Sequence, residues 1–147
     1  MFKFTLLILT VLFLSCNAAN LPSWPKQFRW DWGGGDLTGL NCITINEPAT
    51  PVHNDNKLCW ESGHDNPGLR WSYSGAYPGM KCTHYYDPVN WNWRDNYLCV
   101  PGDSPYNFVF HYGGKPTGTA CISVNEPAET GWADNYLCAA AGSGPSF

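Results

Sequence analysis

The sequence predicts an all-β protein made of three disulfide-closed repeats of about 40 residues, on three observations. The first is repetition: FRWDW…NCITINEPATPVHNDNKLC is followed by LRWSYSG…KCTHYYDPVNWNWRDNYLC and FVFHYGG…ACISVNEPAETGWADNYLC. The second is cysteine spacing, with Cys42 and Cys59, Cys82 and Cys99, and Cys121 and Cys138 each 17 positions apart. The third is the alternation of large apolar with polar residues in short runs separated by Gly and Pro, which suits half-buried strands. No stretch beyond residue 19 carries a convincing helical period.

In chain order, residues 1–19 come first. Lys3 precedes an apolar run from Leu6 to Leu14, and small or polar residues follow from Ser15 to Ala19. This pattern predicts a secretory signal peptide, cleaved after Ala18 or Ala19 and too short to span a bilayer as a mature helix. A bacterial lipoprotein box at Phe13-Leu14-Ser15-Cys16 is the competing reading, less suited to the disulfide-type spacing downstream. Residues 20–147 then form one repeat domain, with copies at about 28–60, 69–100 and 108–139.

Each copy is expected to contain three strands. The first lies in Phe28–Trp32, Leu69–Tyr73 or Phe108–Tyr112, and a glycine-bearing turn follows it. The second carries the first cysteine, in Asn41–Ile45, Lys81–Tyr85 or Ala120–Val124, and an acid-proline pair ends it because proline cannot donate to a ladder. A polar loop leads to the third strand, which ends in Leu-Cys. In an oxidising compartment six cysteines at a repeated spacing form a disulfide framework. The strict spacing within each copy favours Cys42–Cys59, Cys82–Cys99 and Cys121–Cys138. Each bridge contributes about 3 kcal/mol, mainly by restricting the unfolded chain. Zinc would need closely spaced cysteine pairs, which are absent from the sequence.

Residues 20–147 hold 15 Leu, Ile or Val but 20 aromatics, so the core must be largely aromatic. A single bead of about 33 residues buries little core on its own. The copies are therefore expected to pack around a pseudo-threefold axis, as in a trefoil or prism, rather than stand as beads in a row. The connecting segments Glu61–Gly68 and Pro101–Asn107 are compatible with either.

Charge and motif content exclude several functions. Beyond residue 19 there are seven Lys or Arg against twelve Asp or Glu, a net −5 with no basic stripe for nucleic acid and no basic amphipathic stretch for a membrane surface. Neither a dibasic pair nor an Asn-x-Ser/Thr sequon occurs. An enzyme is not expected. No hydrolase, zinc-protease or phosphate-loop motif appears, and His53, His64, His84 and His111 occupy non-equivalent positions. A carboxylate pair repeated three times also argues against one unique catalytic cleft.

The sharpest recurrence after the cysteines is acidic. Glu47 precedes Asp55, Asp87 precedes Asp95 and Glu126 precedes Asp134, each pair eight positions apart and each second acid followed by Asn. Two positions before the second acid stands Trp93 or Trp132, with His53 in the first copy. The structural explanation is Asx turns with the indole covering the disulfide. The functional one is a shallow site in which carboxylates and the Asn amide hydrogen-bond sugar hydroxyls while the indole stacks on the ring. On that reading Glu47, Asp55, Asp87, Trp93, Asp95, Glu126, Trp132 and Asp134 bind ligand, and the second and third copies are the better formed. No cofactor is required, although the same oxygens are of the kind that hold Ca²⁺.

The expectation is thus a secreted, extracellular, lectin-like protein that binds glycans or glycoproteins multivalently, since repetition makes each further contact intramolecular. The alternatives are an extracellular matrix protein and a secreted effector or toxin acting on a protein target.

Overall fold

The computed structural model describes residues 28–50, 55–63, 66–127 and 130–140, with the backbone alone at Thr130. The expected signal peptide, Cys16, His53 and His64 lie outside the described residues. The first copy forms β1 (Phe28–Asp31), β2 (Leu40–Thr44) and β3 (Lys57–Glu61). The second forms β4 (Arg70–Ser72), β5 (Met80–His84) and β6 (Tyr97–Pro101), and the third β7 (Phe108–His111), β8 (Cys121–Ser123) and β9 (Tyr136–Ala139). Helical structure among the described residues is confined to 3-10 turns at Trp91–Trp93 and Thr130–Trp132. The all-β class follows.

Each copy makes one three-stranded antiparallel sheet with its last strand in the middle: β1-β3-β2, β4-β6-β5 and β7-β9-β8. The central strands carry consecutive buried residues, Leu58-Cys59-Trp60, Leu98-Cys99-Val100 and Leu137-Cys138. A strand covered on both faces tolerates such an unbroken run. Pairing with β2 and β5 also carries β3 and β6 two residues past their cysteines, beyond the Leu-Cys end expected from sequence.

The register places Leu58 between Trp30 and Ile43, Leu98 between Trp71 and Thr83, and Leu137 between Phe110 and Ile122. One position along, Cys42 faces Cys59, Cys82 faces Cys99 and Cys121 faces Cys138. All three expected bridges form there, with Cα–Cα separations of 4.1, 4.0 and 4.0 Å. Successive residues point to opposite faces, so each bridge lies on the face opposite its sheet's apolar row. Three intramolecular disulfides are typical of extracellular proteins.

The sheets touch in sequence: β2 meets β4, β5 meets β7, and β8 meets β1. Two indole hydrogen bonds follow the same route. Trp71 of the second copy donates to the Asn46 carbonyl of the first at 2.8 Å, and Trp30 of the first donates to the Asn125 carbonyl of the third at 2.9 Å. The equivalent of Trp71 in the third copy is Phe110, which has no N–H to give. Its backbone N–H instead donates to Thr83 Oγ1 at 3.4 Å.

One core joins the copies, drawing Ile45, Leu58, Trp60, Tyr85, Trp93, Leu98, Val100, Phe108, Phe110, Val124, Trp132 and Leu137 together. Tyr85 stands where the other copies place Ile45 and Val124. Its ring lies 6.2 Å from Trp30, 5.2 Å from Trp71 and 4.2 Å from Phe110, so it contacts all three copies.

The Tyr85 hydroxyl is buried without a hydrogen-bond partner. Burial holds its pKa well above the ordinary 10.0, because the phenolate would lose its water. A group raised on folding stabilises fully below its unfolded value and loses that contribution as pH climbs toward the folded one. Above the ordinary 10.0, stability should therefore fall. Tyr85→Phe is expected to gain about 1 kcal/mol at neutral pH, since it deletes an unpaired buried hydroxyl, and to blunt the alkaline loss. Urea unfolding at neutral and alkaline pH checks both; destabilisation by Tyr85→Phe at neutral pH would contradict this account of the hydroxyl.

Candidate functional site

The first strand of each copy ends one residue before its last aromatic. In the first copy, Asp31 turns inward and its Oδ1 accepts the Gly35 N–H at 3.0 Å. In the second, Ser72 does the same work: its hydroxyl donates to the Gly75 carbonyl at 2.6 Å and accepts the Ser74 N–H at 3.3 Å. The aromatic that follows is left outside. Trp32, Tyr73 and Tyr112 are 50, 48 and 55 % exposed, at the same position of the three copies. Sequence reasoning missed them because strict alternation would put Phe28, Trp30 and Trp32 on one face. The available signal was the recurrence of an aromatic just before the turn in every copy.

The turn after each exposed ring docks on the second acid of its own copy. Gly75 N–H donates to the Asp95 carbonyl at 2.8 Å, and Gly114 N–H to the Asp134 carbonyl at 3.0 Å. In the first copy the Asp55 carboxylate occupies the space a side chain at Gly33 would need, and Gly33 has φ +105°. Only glycine accepts both constraints readily. Asp55, Asp95 and Asp134 are all exposed.

The first acids are placed differently. Glu47, Asp87 and Glu126 are only 5, 3 and 3 % exposed. Glu47 Oε1 accepts the Ala49 N–H at 2.9 Å and Asp87 Oδ1 accepts the Val89 N–H at 3.0 Å, the turn geometry expected for an acid before proline. The second oxygen of Asp87 has no partner within the protein.

These groups come together between copies rather than within one. A cleft of about 490 Å³ is lined by Asp87 and Val89 of the second copy and by Tyr112, Gly113, Gly131, Ala133 and Asp134 of the third. Gly131 lies so close to Val89 that an added Cβ would stand 2.5 Å from Val89 Cγ2. At the preceding seam, Asn92 Nδ2 of the second copy donates to Thr50 Oγ1 of the first at 3.3 Å. By position, that seam offers Glu47, Tyr73 and Asp95, and the seam from third copy to first offers Glu126, Trp32 and Asp55. The eight-residue spacing suggests Asp87 with Asp95, and Glu126 with Asp134. The cleft instead joins Asp87 to Asp134.

Trp93 and Trp132 are 0 and 1 % exposed and present no face to a ligand, which corrects the stacking role expected of them. Their rings pack on each other at 4.5 Å and on Tyr85 at 5.9 and 5.8 Å. The 3-10 turn explains the inversion. With three residues per turn, Trp91 and Trp93 point in different directions, so Trp91 is outside and Trp93 inside. Asn56, Asn96 and Asn135 are buried too, and their carbonyls accept the N–H of Ile45, Tyr85 and Val124 at 2.8, 2.8 and 3.0 Å. Being 0 % exposed, their side-chain amides are not presented to a surface ligand, which corrects the sugar-binding role expected of them.

Among the described residues, no three His, Cys, Asp or Glu gather as a metal-binding group, and no helix is long and apolar enough to cross a membrane. No family model matches the chain, and neither curated proteins nor solved structures gave a match.

Proposed function

We propose that this is a secreted, multivalent carbohydrate-binding protein whose sites lie at the seams between successive copies. The observation that carries the reading is the cleft joining Asp87, Tyr112 and Asp134. A half-exposed ring beside two carboxylates matches the two faces of a pyranose. The ring covers its C–H face while the carboxylates accept hydrogen bonds from its hydroxyls, and charge-assisted bonds of this kind exceed neutral ones. A few polar groups beside an apolar wall is the usual makeup of a small-ligand site. The exposed aromatic recurs at Trp32 and Tyr73, which supports up to three sites and the avidity of linked binding. The sheet contacts from β2 to β4, β5 to β7 and β8 back to β1 favour a trefoil- or prism-like arrangement about a pseudo-threefold axis.

A glycan array probed with the mature protein tests the proposal. Tyr112→Ala should weaken retention at least several-fold and leave the melting temperature nearly unchanged, because the ring is 55 % exposed. Failure to retain any glycan would overturn it in favour of a matrix protein or an effector with a protein target.

A further inference from the structure

We infer that the seam between the second and third copies selects ammonium-bearing sugars, that is, amino sugars without their acetyl group. The inference rests on the carbohydrate-binding reading and deepens it for one of the three seams. Among the described residues the cleft wall holds two carboxylates, Asp87 and Asp134, and no Lys, Arg or His. Asp87 is 3 % exposed, yet only one of its carboxylate oxygens is used by the protein, accepting the Val89 N–H. The other, on a side chain that lines the cleft, remains free to accept from a ligand. An oxygen open to the cleft and unused by the protein is available to a ligand donor, and a charged donor makes the stronger bond to it. Tyr112, 55 % exposed on the same cleft, offers a π face, which attracts a cation electrostatically. An ammonium group answers both features: it donates to each carboxylate and lies against the ring. A neutral sugar answers only the hydrogen-bonding part. An acidic sugar would place like charges together.

The preceding seam supplies an internal contrast. Where the third copy has Trp132-Ala133-Asp134, the second has Trp93-Arg94-Asp95. Arg94 therefore stands at the chain position equivalent to Ala133, and its guanidinium lies 4.9 Å from the centre of the Trp91 ring. Against Glu47 and Asp95 that leaves one net negative charge at the first seam where the second cleft has two, which weakens the pull on an ammonium there. The ammonium preference is accordingly assigned to the second seam rather than the first.

Titration calorimetry of the mature protein with glucosamine tetramer, N-acetylglucosamine tetramer, cellotetraose and tetramethylammonium tests this. Glucosamine tetramer should bind roughly ten- to a hundredfold more tightly than the two neutral oligomers, the range expected for a hydrogen bond to a charged group. Asp134→Asn and Asp87→Asn should each remove most of that preference while changing cellotetraose affinity less than about threefold. Asp95→Asn, at the other seam, should leave the preference in place. Equal or tighter binding of the neutral oligomers, or a preference unaffected by Asp134→Asn, would overturn the inference and leave the carbohydrate reading standing. Binding of tetramethylammonium without any oligosaccharide would keep the cation site and overturn the carbohydrate reading. Binding of none of the four would overturn the inference.

Discussion

Trp132→Ala should cost about 3–5 kcal/mol of stability, as large-to-small aromatic truncations in a core do, and Trp93→Ala a similar amount. Both rings are essentially unexposed, and together with Tyr85 and Phe110 they form the aromatic centre of the molecule. The core has few aliphatic side chains with which to refill the cavity. Because the rings are 4.5 Å apart, the double substitution should cost less or more than the sum, with a coupling of about 0.5–3 kcal/mol. Chemical denaturation followed by far-ultraviolet spectroscopy checks the values. A loss below about 1 kcal/mol would mean that the rings do not hold the copies together.

Opening one disulfide should rank beside this. Replacing Cys82 and Cys99 together by Ser is expected to cost about 2–5 kcal/mol, the usual range for a small disulfide-bearing domain. The bridge closes a 17-residue separation and ties edge strand β5 to central strand β6. β5 also carries the contact to β7, so loosening it should loosen the second seam. The variant should therefore lose ligand affinity along with stability, whereas Tyr112→Ala loses affinity alone. Paired melting and binding measurements separate the two patterns, and an opened bridge with unchanged melting would contradict the account.

The strands and bridges were legible because both leave local periodic marks. Alternation locates Phe28–Asp31 and its equivalents, and an unvarying 17-residue spacing identifies Cys42 with Cys59 without knowledge of the fold. The sharing of one core followed from the little core that a single copy can bury by itself. The composition of the site was only half legible. Spacing along the chain reports which acids are near within one copy, so it pairs Asp87 with Asp95. It carries no information on which loop of the next copy packs alongside, and that packing brings Asp134 to Asp87. The orientation of Trp93 was hidden for a different reason. Its polar neighbours suggest a surface loop, but a single 3-10 turn rotates every third residue inward. Trp32, Tyr73 and Tyr112 were overlooked because they look like the last residues of alternating strands, and the turns anchored by Asp31 and Ser72 end those strands just before them.

The central claim is that the ligand lies between copies. Amide NMR of the mature protein, titrated with glucosamine tetramer or with whichever oligosaccharide the array retains, tests it most directly. The account predicts that Val89 of the second copy shifts together with Gly113 and Gly131 of the third, with a single dissociation constant, and that Tyr112→Ala weakens all three responses alike. Shifts confined to one copy, for instance to the loop from Asp87 to Asp95, would contradict it and return the site to the interior of a single repeat.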